Sequence, residues 1–141
     1  MSRRRAAVAG GAAAAVWAAL EPFDRRLFDH DYSDVAMLGK LVTRSRLWPV
    51  AGLAAHIANG AAFGLLYDVA RRRTGAPPRR LALTLALAEN FVLFPLAYVL
   101  DHKHPARGEA GLSPLFSPRG LVQATSRHAV FGALLGTFAA R

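Results

Sequence analysis

Residues 56–67, HIANGAAFGLLY, decide the fold class, because this apolar stretch carries a histidine, an asparagine and two glycines four positions apart. Residues 128–139, HAVFGALLGTFA, follow with an offset of 72. Glycines at this spacing let membrane helices approach closely, which matters because lipid gives helices no hydrophobic reason to associate. The two stretches therefore predict paired transmembrane helices and an internal repeat. Both read H-x-x-x-G-A-x-x-G, with His56, Gly60 and Gly64 in the first and His128, Gly132 and Gly136 in the second.

The composition also favours a small membrane protein. Of the 141 residues 53% are apolar, and 18 lysines and arginines face 9 acidic residues, for a net charge of +9. The arginines stand at the ends of apolar runs instead of along one polar face, which favours membrane flanks over a nucleic-acid surface. Cysteine is absent, so disulfides and thiolate metal sites are excluded. The expected partner is the lipid bilayer, and no nucleic-acid partner is expected.

Four apolar segments are long enough to cross a hydrocarbon core of about 30 Å. Trp48 and Tyr67 flank the second segment in the manner of interfacial aromatic belts. The basic start and the first apolar run also fit a signal peptide, and this alternative stays open. We expect an all-α, four-helix transmembrane bundle in one integral membrane domain, residues 1–141, built from two parallel repeats of two spans. The predicted spans are residues 6–28, 48–69, 81–100 and 120–140.

The segment between the first two predicted spans carries one recognisable local signal. Ser33 is suited to cap a short helix beginning at Asp34, because its hydroxyl can accept a hydrogen bond from a free backbone N–H. Val35, Leu38 and Leu41 would share one face of this helix. It either lies in the membrane interface or forms a solvated connector.

Basic residues at short connections predict the orientation. Residues 71–80, RRRTGAPPRR, hold five arginines and no acid. This is the most concentrated basic connection in the chain, so we place it in the cytoplasm. Both termini then lie in the cytoplasm, and the chain is a multi-pass protein of the cell membrane.

The spans contain several polar side chains, and ionisable groups inside a membrane are functional candidates by default. The alternative for each histidine is a neutral ring bonded to a neighbouring helix. Glu89 leans inward and the histidines lean outward along their helices, so we predict a chain Glu89–Asn59–His56 in place of a direct Glu–His contact. Arg127 either joins His128 or extends to the interface. The predicted buried polar cluster is His56, Asn59, Glu89, Asn90, Arg127 and His128.

The glycine pairs predict the packing seam of the bundle. Close backbone approach at Gly60 and Gly64 on one side, and at Gly132 and Gly136 on the other, would supply dispersion contacts. We therefore expect the second and fourth spans to cross at these glycines.

The histidines suggest two kinds of bound group, a haem or a divalent metal ion. Histidines on paired helices can ligate a haem iron axially. Nitrogen and oxygen ligands in the outer connections suit a divalent metal, although ordinary ion pairs explain the same residues. No nucleophile elbow, phosphate-binding loop or dinucleotide motif is present. The default expectation is no cofactor, and the candidate metal ligands are Asp29, His30, Asp31, Asp101, His102 and His104.

Three segments together resemble a group of small, uncharacterised integral membrane proteins of high-GC bacteria. They are HIANGAAFGLLY, FPLAYVLDHKHPARGE and QATSRHAVFGALLG. In that group, as here, a Pro-Leu span ends in Asp, a His-Pro-Ala sequence follows, and a later Arg-His opens a glycine-striped span. The resemblance implies a four-helix membrane fold and membrane location, and it implies no activity.

Three functions fit these observations. The first is a non-enzymatic subunit, scaffold or lipid-contacting factor, which forms a homo-oligomer or joins another membrane protein. The second is a carrier or channel for protons or a small solute, lined by the buried polar residues. The third is a haem or metal protein, or an enzyme that uses the histidines. The sequence favours the first of these and leaves enzymatic activity undecided, with a preference against it.

Overall fold

The computed structural model describes residues 2–140, and in that range the chain is helical without a strand. The predicted all-α fold class is therefore confirmed. The first helix starts at Arg3, before the predicted start at residue 6, and the third helix ends at Thr74, after the predicted end at residue 69. The arginines that flank these apolar segments are themselves helical. The helices are α1 (Arg3–Leu27), α2 (Asp34–Val42), α3 (Trp48–Thr74), α4 (Pro78–Leu93), α5 (Leu96–Lys103) and α6 (Pro118–Ala140).

Local sequence signals begin and end the helices. The Ser33 hydroxyl accepts a hydrogen bond from the Ala36 backbone N–H at 3.0 Å and caps α2, as predicted. Gly75 ends α3 with a φ of 63°, a left-handed conformation that costs glycine little. Pro78 and Pro118 each occupy the first position of a helix, where the missing N–H has no intrahelical partner to lose.

The third predicted span, residues 81–100, is not one continuous helix. Helices α4 and α5 meet at Phe94 and Pro95 with a bend of 56°. Pro95 has no backbone N–H to donate to the preceding turn, and its ring displaces the carbonyl there, so the helix breaks. The apolar segment predicted as the third span is therefore two helices joined at this proline.

Length and composition identify the helices able to cross a membrane. Helices α1 and α3 are long and apolar enough, and the bent pair α4 and α5 meets the same condition if it forms one span. Helix α6 is not in this set, although it has 23 residues. The described chain is thus consistent with a membrane protein having two or three clearly apolar spans.

Helix α1 is the central element of the packing. It runs along α3 on one side and contacts α6 on another, while α4 runs along α6 and α2 lies on α3. Aromatic rings fill the space between α1, α3 and α6. The Phe63 and Phe131 ring centroids are 5.2 Å apart, and those of Trp17 and Phe131 are 6.0 Å apart. The core therefore lies where α1 meets α3 and α6.

The glycines of α3 pack against α1, which corrects the predicted crossing of the second and fourth spans. A Cβ on Gly60 would lie 2.7 Å from the Gly10 carbonyl oxygen and would overlap the Ala14 methyl group. Gly64 meets the carbonyl of Ala6 in the same way. Small residues four positions apart on α1 match those on α3, so both backbones approach closely.

The glycines of α6 pack against α4. A Cβ on Gly132 would lie 3.0 Å from the Ala82 carbonyl oxygen and 3.1 Å from the Ala86 methyl group. A Cβ on Gly136 would lie 2.7 Å from the Arg79 Cα. One glycine stripe therefore serves the pairing of α3 with α1, and the other serves the pairing of α6 with α4.

The connection before α2 and the connection before α6 pair with each other. The Ser33 N–H donates to the Gly111 carbonyl at 2.9 Å, and the Ser113 N–H donates to the Asp31 carbonyl at 2.9 Å. The Gly111 N–H also donates to Asp31 Oδ2 at 2.8 Å. Gly111 has a φ of 81°, which favours glycine at this turn. These bonds hold the two halves together at one end of the molecule, called the loop end below.

Candidate functional site

Arg127 is the centre of a buried charge network. Its side chain is 4% exposed, and its Nε and Nη2 atoms donate to the two oxygens of Asp24 at 2.5 and 2.6 Å. Nη1 donates to Asp34 Oδ2 at 2.7 Å, and Nη2 also donates to the Tyr32 carbonyl at 2.9 Å. The planar guanidinium thus binds α6 to α1 and α2 through paired, charge-assisted hydrogen bonds. We call Arg127, Glu21, Asp24 and Asp34 the Arg127 network.

Glu21 joins this network and also orders the start of α2. Its Oε1 lies 3.9 Å from Arg127 Nη1 and accepts from the backbone N–H of Asp34 at 2.8 Å. Its Oε2 accepts from the Ser33 hydroxyl at 2.5 Å. A carboxylate on the free N–H groups of a helix N-terminus is favourable, because it satisfies donors that have no intrahelical partner. Glu21 therefore fixes α2 to α1 beside Arg127.

Three carboxyl groups surround one guanidinium. Arg127 neutralises one negative charge, so the network holds either bound protons or a net negative charge. Gln123 supports Asp24, because its Nε2 donates to Asp24 Oδ1 and to the His30 carbonyl, each at 3.1 Å. Removing one partner of a buried ion pair lowers the free energy of unfolding, because the remaining charge is left buried and unpaired. The arrangement can thus bind protons or respond to their loss.

Trp17 connects the network to both histidines of the glycine stripes. Its indole N–H donates to Asp34 Oδ2 at 3.2 Å. Its ring centroid lies 5.3 Å from that of His56 and 5.0 Å from that of His128, edge-on in both cases. His128 Nε2 in turn lies 3.8 Å from a carboxylate oxygen of Glu89. A continuous series of contacts therefore runs from Glu89 to the Arg127 network.

Three adjoining cavities lie between the two halves of the chain. The first, of about 170 Å³, is lined by residues that include His56, Glu89 and His128. The second, of about 220 Å³, shares Trp17, Asp34 and His128 with the first. The third, of about 100 Å³, lies at the loop end. It shares Met37 and Leu100 with the second and is also lined by Arg107. We call these three spaces the histidine cleft.

All six residues of the predicted polar cluster line this cleft, though not with the predicted contacts. The predicted chain Glu89–Asn59–His56 was wrong, because Asn59 is exposed and Glu89 approaches His128 directly. Asn90 is buried, and its amide donates to the Thr125 hydroxyl at 3.0 Å. Helix depth alone had suggested that the acid and the histidine were too far apart, but side-chain reach closes that gap.

Several buried polar atoms around the cleft have unused hydrogen-bonding capacity. His56 Nε2 and the Tyr32 hydroxyl are buried without a hydrogen-bond partner in residues 2–140, as are His30 Nε2 and Gln123 Oε1. Burial lowers the pKa of His30, and the cations Arg127 and Arg119 lower it further. Burial raises the pKa of the Tyr32 hydroxyl. Both groups are therefore neutral at physiological pH and can exchange hydrogen-bond partners.

The residues predicted as metal ligands have other partners in the structure. Asp29 forms an ion pair with Arg119 at 2.9 Å, and Asp31 pairs with Arg25. Asp101 accepts from the backbone N–H groups of Leu115 and Phe116 at 2.9 and 2.7 Å.

The histidines of this set are also bonded to the chain. His102 Nδ1 contacts the Tyr98 carbonyl at 2.7 Å, and His104 Nε2 contacts the Met37 carbonyl at 2.9 Å. No group of three His, Cys, Asp or Glu side chains among the described residues is arranged to hold a metal ion. A metal at these positions stays a prediction from the sequence.

The sequence reasoning did not identify Glu21, Asp24 and Asp34 as site residues. It placed Asp34 at the start of a short helix. One signal could have found them, because a lone arginine inside a predicted span needs an acidic partner. The acids at the outer end of the first predicted span stand at a similar depth to Arg127.

Comparison with models of protein families, with curated proteins and with solved structures finds no match to this chain.

Proposed function

We propose that this chain is a small polytopic membrane protein that carries protons through the histidine cleft. Glu89 and His128 are the proposed proton-binding pair. The Arg127 network, whose Asp34 and Arg127 line the second cavity, is the proposed closure between the first cavity and the loop end. The observation that carries the proposal is the Glu89 carboxylate 3.8 Å from His128 Nε2, on cavities that adjoin one another toward the loop end. Ionisable groups in such positions mark proton pathways in membrane proteins.

The proposed architecture has four spans. Helices α1 and α3 are two of them, α4 with α5 forms a broken third, and α6 forms the fourth. The burial of Arg127 against two acids supports the fourth span, because paired charges cost less to place inside a membrane than an isolated one. Broken helices are tolerated at membrane depth where they line a cavity, and Leu93 and Phe94 at the break line the cleft.

The proposed architecture also contains the internal repeat with its offset of 72. Contacts on α3 recur on α6 with both partners moved by that offset, which supports the duplication. The matching pairs are Gly10 and Ala14 on Gly60, and Ala82 and Ala86 on Gly132. We further propose a location in the cell membrane with both termini in the cytoplasm, based on the arginines of residues 71–80. The resemblance to small membrane proteins of high-GC bacteria stays a prediction.

Proton flux into liposomes tests the proposal. The purified protein is reconstituted with a pH-sensitive dye inside, and a potassium diffusion potential drives proton entry. We expect flux above that of protein-free liposomes, abolished in Glu89→Gln and reduced in His128→Gln. Glu109→Gln is the matched control, because it removes a carboxylate from a loop residue that pairs with Lys40 and Arg44 away from the cleft.

Infrared spectroscopy supplies an independent readout of the same site. A carboxylic C=O band that titrates with pH should be lost in Glu89→Gln and retained in Glu109→Gln. Flux in Glu89→Gln equal to that of the parent would exclude Glu89 as the carrier group. Absence of flux in the parent would favour the first hypothesis, a non-enzymatic subunit or scaffold in which the buried charges serve packing alone.

A haem between the two histidines finds less support in the structure. Helix α1 packs between α3 and α6, and both imidazoles contact the same Trp17 indole. An iron with both histidines as axial ligands would require this aromatic contact to be rearranged.

A further inference from the structure

A cavity of about 760 Å³ lies far from the histidine cleft. Helix α1 begins and helices α3 and α6 end beside this cavity, at the end of the molecule opposite the loop end. Arg4 and Arg5 of α1 and Arg71 of α3 stand around it. Val8 and Phe138 supply apolar walls. A cationic opening thus leads onto an apolar seam between α1 and α6.

These three arginines have no acidic partner among the described residues. None of them forms an ion pair with a residue in the range 2–140. Asp68, the one acid near this end, pairs with Arg72 at 2.9 Å. At the loop end, by contrast, Arg25, Arg44 and Arg119 are each paired with a carboxylate. Among residues 2–140, no acidic side chain compensates the positive charge around the cavity.

Two hydrogen bonds fix the position of the Arg71 side chain beside the cavity. Its Nη1 donates to the Ala139 carbonyl at 3.2 Å, and its side chain also bonds Tyr67, whose ring is fully buried. The Tyr67 hydroxyl donates to the Pro78 carbonyl at 3.3 Å. An arginine fixed by two neutral groups keeps its full charge and loses little conformational freedom when it binds an anion.

The apolar seam has the length of one leaflet. Arg5, Val8, Ala12 and Val16 follow one another at intervals of three or four residues, so they share one face of α1. Val16 is eleven residues from Arg5, about 16 Å along the helix. Half of a hydrocarbon core of about 30 Å is nearly the same distance. Val8 and Val16 are exposed on this face.

We propose that this cavity binds an anionic phospholipid, with the phosphate headgroup between Arg4, Arg5 and Arg71 and an acyl chain along the seam of α1 and α6. Charge complementarity selects the headgroup, and the exposed apolar face selects a lipid over a free phosphate. The proposal rests on the membrane location proposed above and is independent of proton transport through the histidine cleft.

Native mass spectrometry of the detergent-solubilised protein tests this site. The protein is titrated with phosphatidylglycerol, phosphatidylcholine or inorganic phosphate. We expect phosphatidylglycerol to bind more tightly than phosphatidylcholine, and millimolar phosphate not to displace it. The double substitution Arg4→Gln with Arg5→Gln should weaken phosphatidylglycerol binding roughly tenfold or more, since each arginine near an anionic headgroup contributes appreciably.

The matched control is Arg79→Gln with Arg80→Gln. It removes the same charge at the same end from exposed residues outside the cavity, and we expect less than about a threefold loss. The pair Arg4→Lys with Arg5→Lys should largely retain binding, which also shows that the altered helix start still folds. Equal losses in the two glutamine pairs, equal affinity for both lipids, or displacement by phosphate would each overturn the proposal. Absence of proton flux together with intact lipid selectivity would count only against the proposed proton transport through the histidine cleft.

Discussion

Replacing Arg127 by methionine should destabilise the protein more than any comparable arginine substitution. The guanidinium makes paired hydrogen bonds to Asp24 and a third to Asp34, and its side chain is 4% exposed. Methionine fills a similar volume but leaves the two carboxylates facing each other without a cation. Breaking a buried ion pair by removing one partner costs about 3–5 kcal/mol, so we expect a loss of that size in the free energy of unfolding.

Arg119→Met is the control, because Arg119 is on the same helix and also pairs with an aspartate. That pair is on the surface, with side chains 66% and 90% exposed, and surface ion pairs contribute about 0–1 kcal/mol. Adding Asp24→Asn to Arg127→Met should recover part of the stability, since it removes one unpaired charge. This recovery separates an electrostatic effect from a packing effect.

Denaturant unfolding in mixed detergent micelles provides the measurement, with Trp17 fluorescence as the signal in a Trp48→Phe background. The Trp17 indole donates to Asp34, so it reports directly on the network. Arg127→Met within about 1 kcal/mol of Arg119→Met would refute the reasoning. The Arg127 network would then be either hydrated or absent in the protein.

Three further outcomes are expected. Gly10→Ala should destabilise by about 1–3 kcal/mol through overlap with α3, whereas Gly11→Ala should be tolerated because its Cβ has ordinary contacts; equal melting of the two variants in detergent would contradict this. A cysteine at the exposed Ala110 should react with an impermeant thiol reagent from outside intact cells, and one at Thr74 should not; external labelling of Thr74 would reverse the orientation. Stability should fall as the pH drops below about 6.5, because the unfolded chain then binds a proton that His30, with its lowered pKa, does not. His30→Asn should flatten this pH dependence in the same unfolding assay.

The short-range features of the fold could be predicted from the sequence. Ser33 begins α2 as predicted because its capping hydrogen bond reaches only three residues along the chain. The helical segments follow from long apolar runs between prolines, glycines and arginine clusters. The bend at Pro95 was also visible as an interruption, although its 56° angle depends on what the two helix pieces pack against.

The site could be predicted only in part. The polar residues of the cleft were found because they interrupt apolar runs, which is a local property. Their partners were not found, because a carboxyl at the end of one helix and a guanidinium within another are about a hundred positions apart in the chain. Asp24 and Arg127 meet only because α1 packs against α6.

From the sequence one can predict that the chain is helical, that its apolar segments carry glycine stripes, and that a few polar groups lie among them. These features are predictable because helix propensity, capping and hydropathy act over short stretches of chain. The tertiary structure alone decided which helices share each glycine seam and which acids neutralise Arg127. Small residues at a spacing of four occur on both α1 and α6, so the glycine spacing of α3 does not choose between them. The packing of whole helix faces, which depends on side-chain volume and buried charge, selects α1.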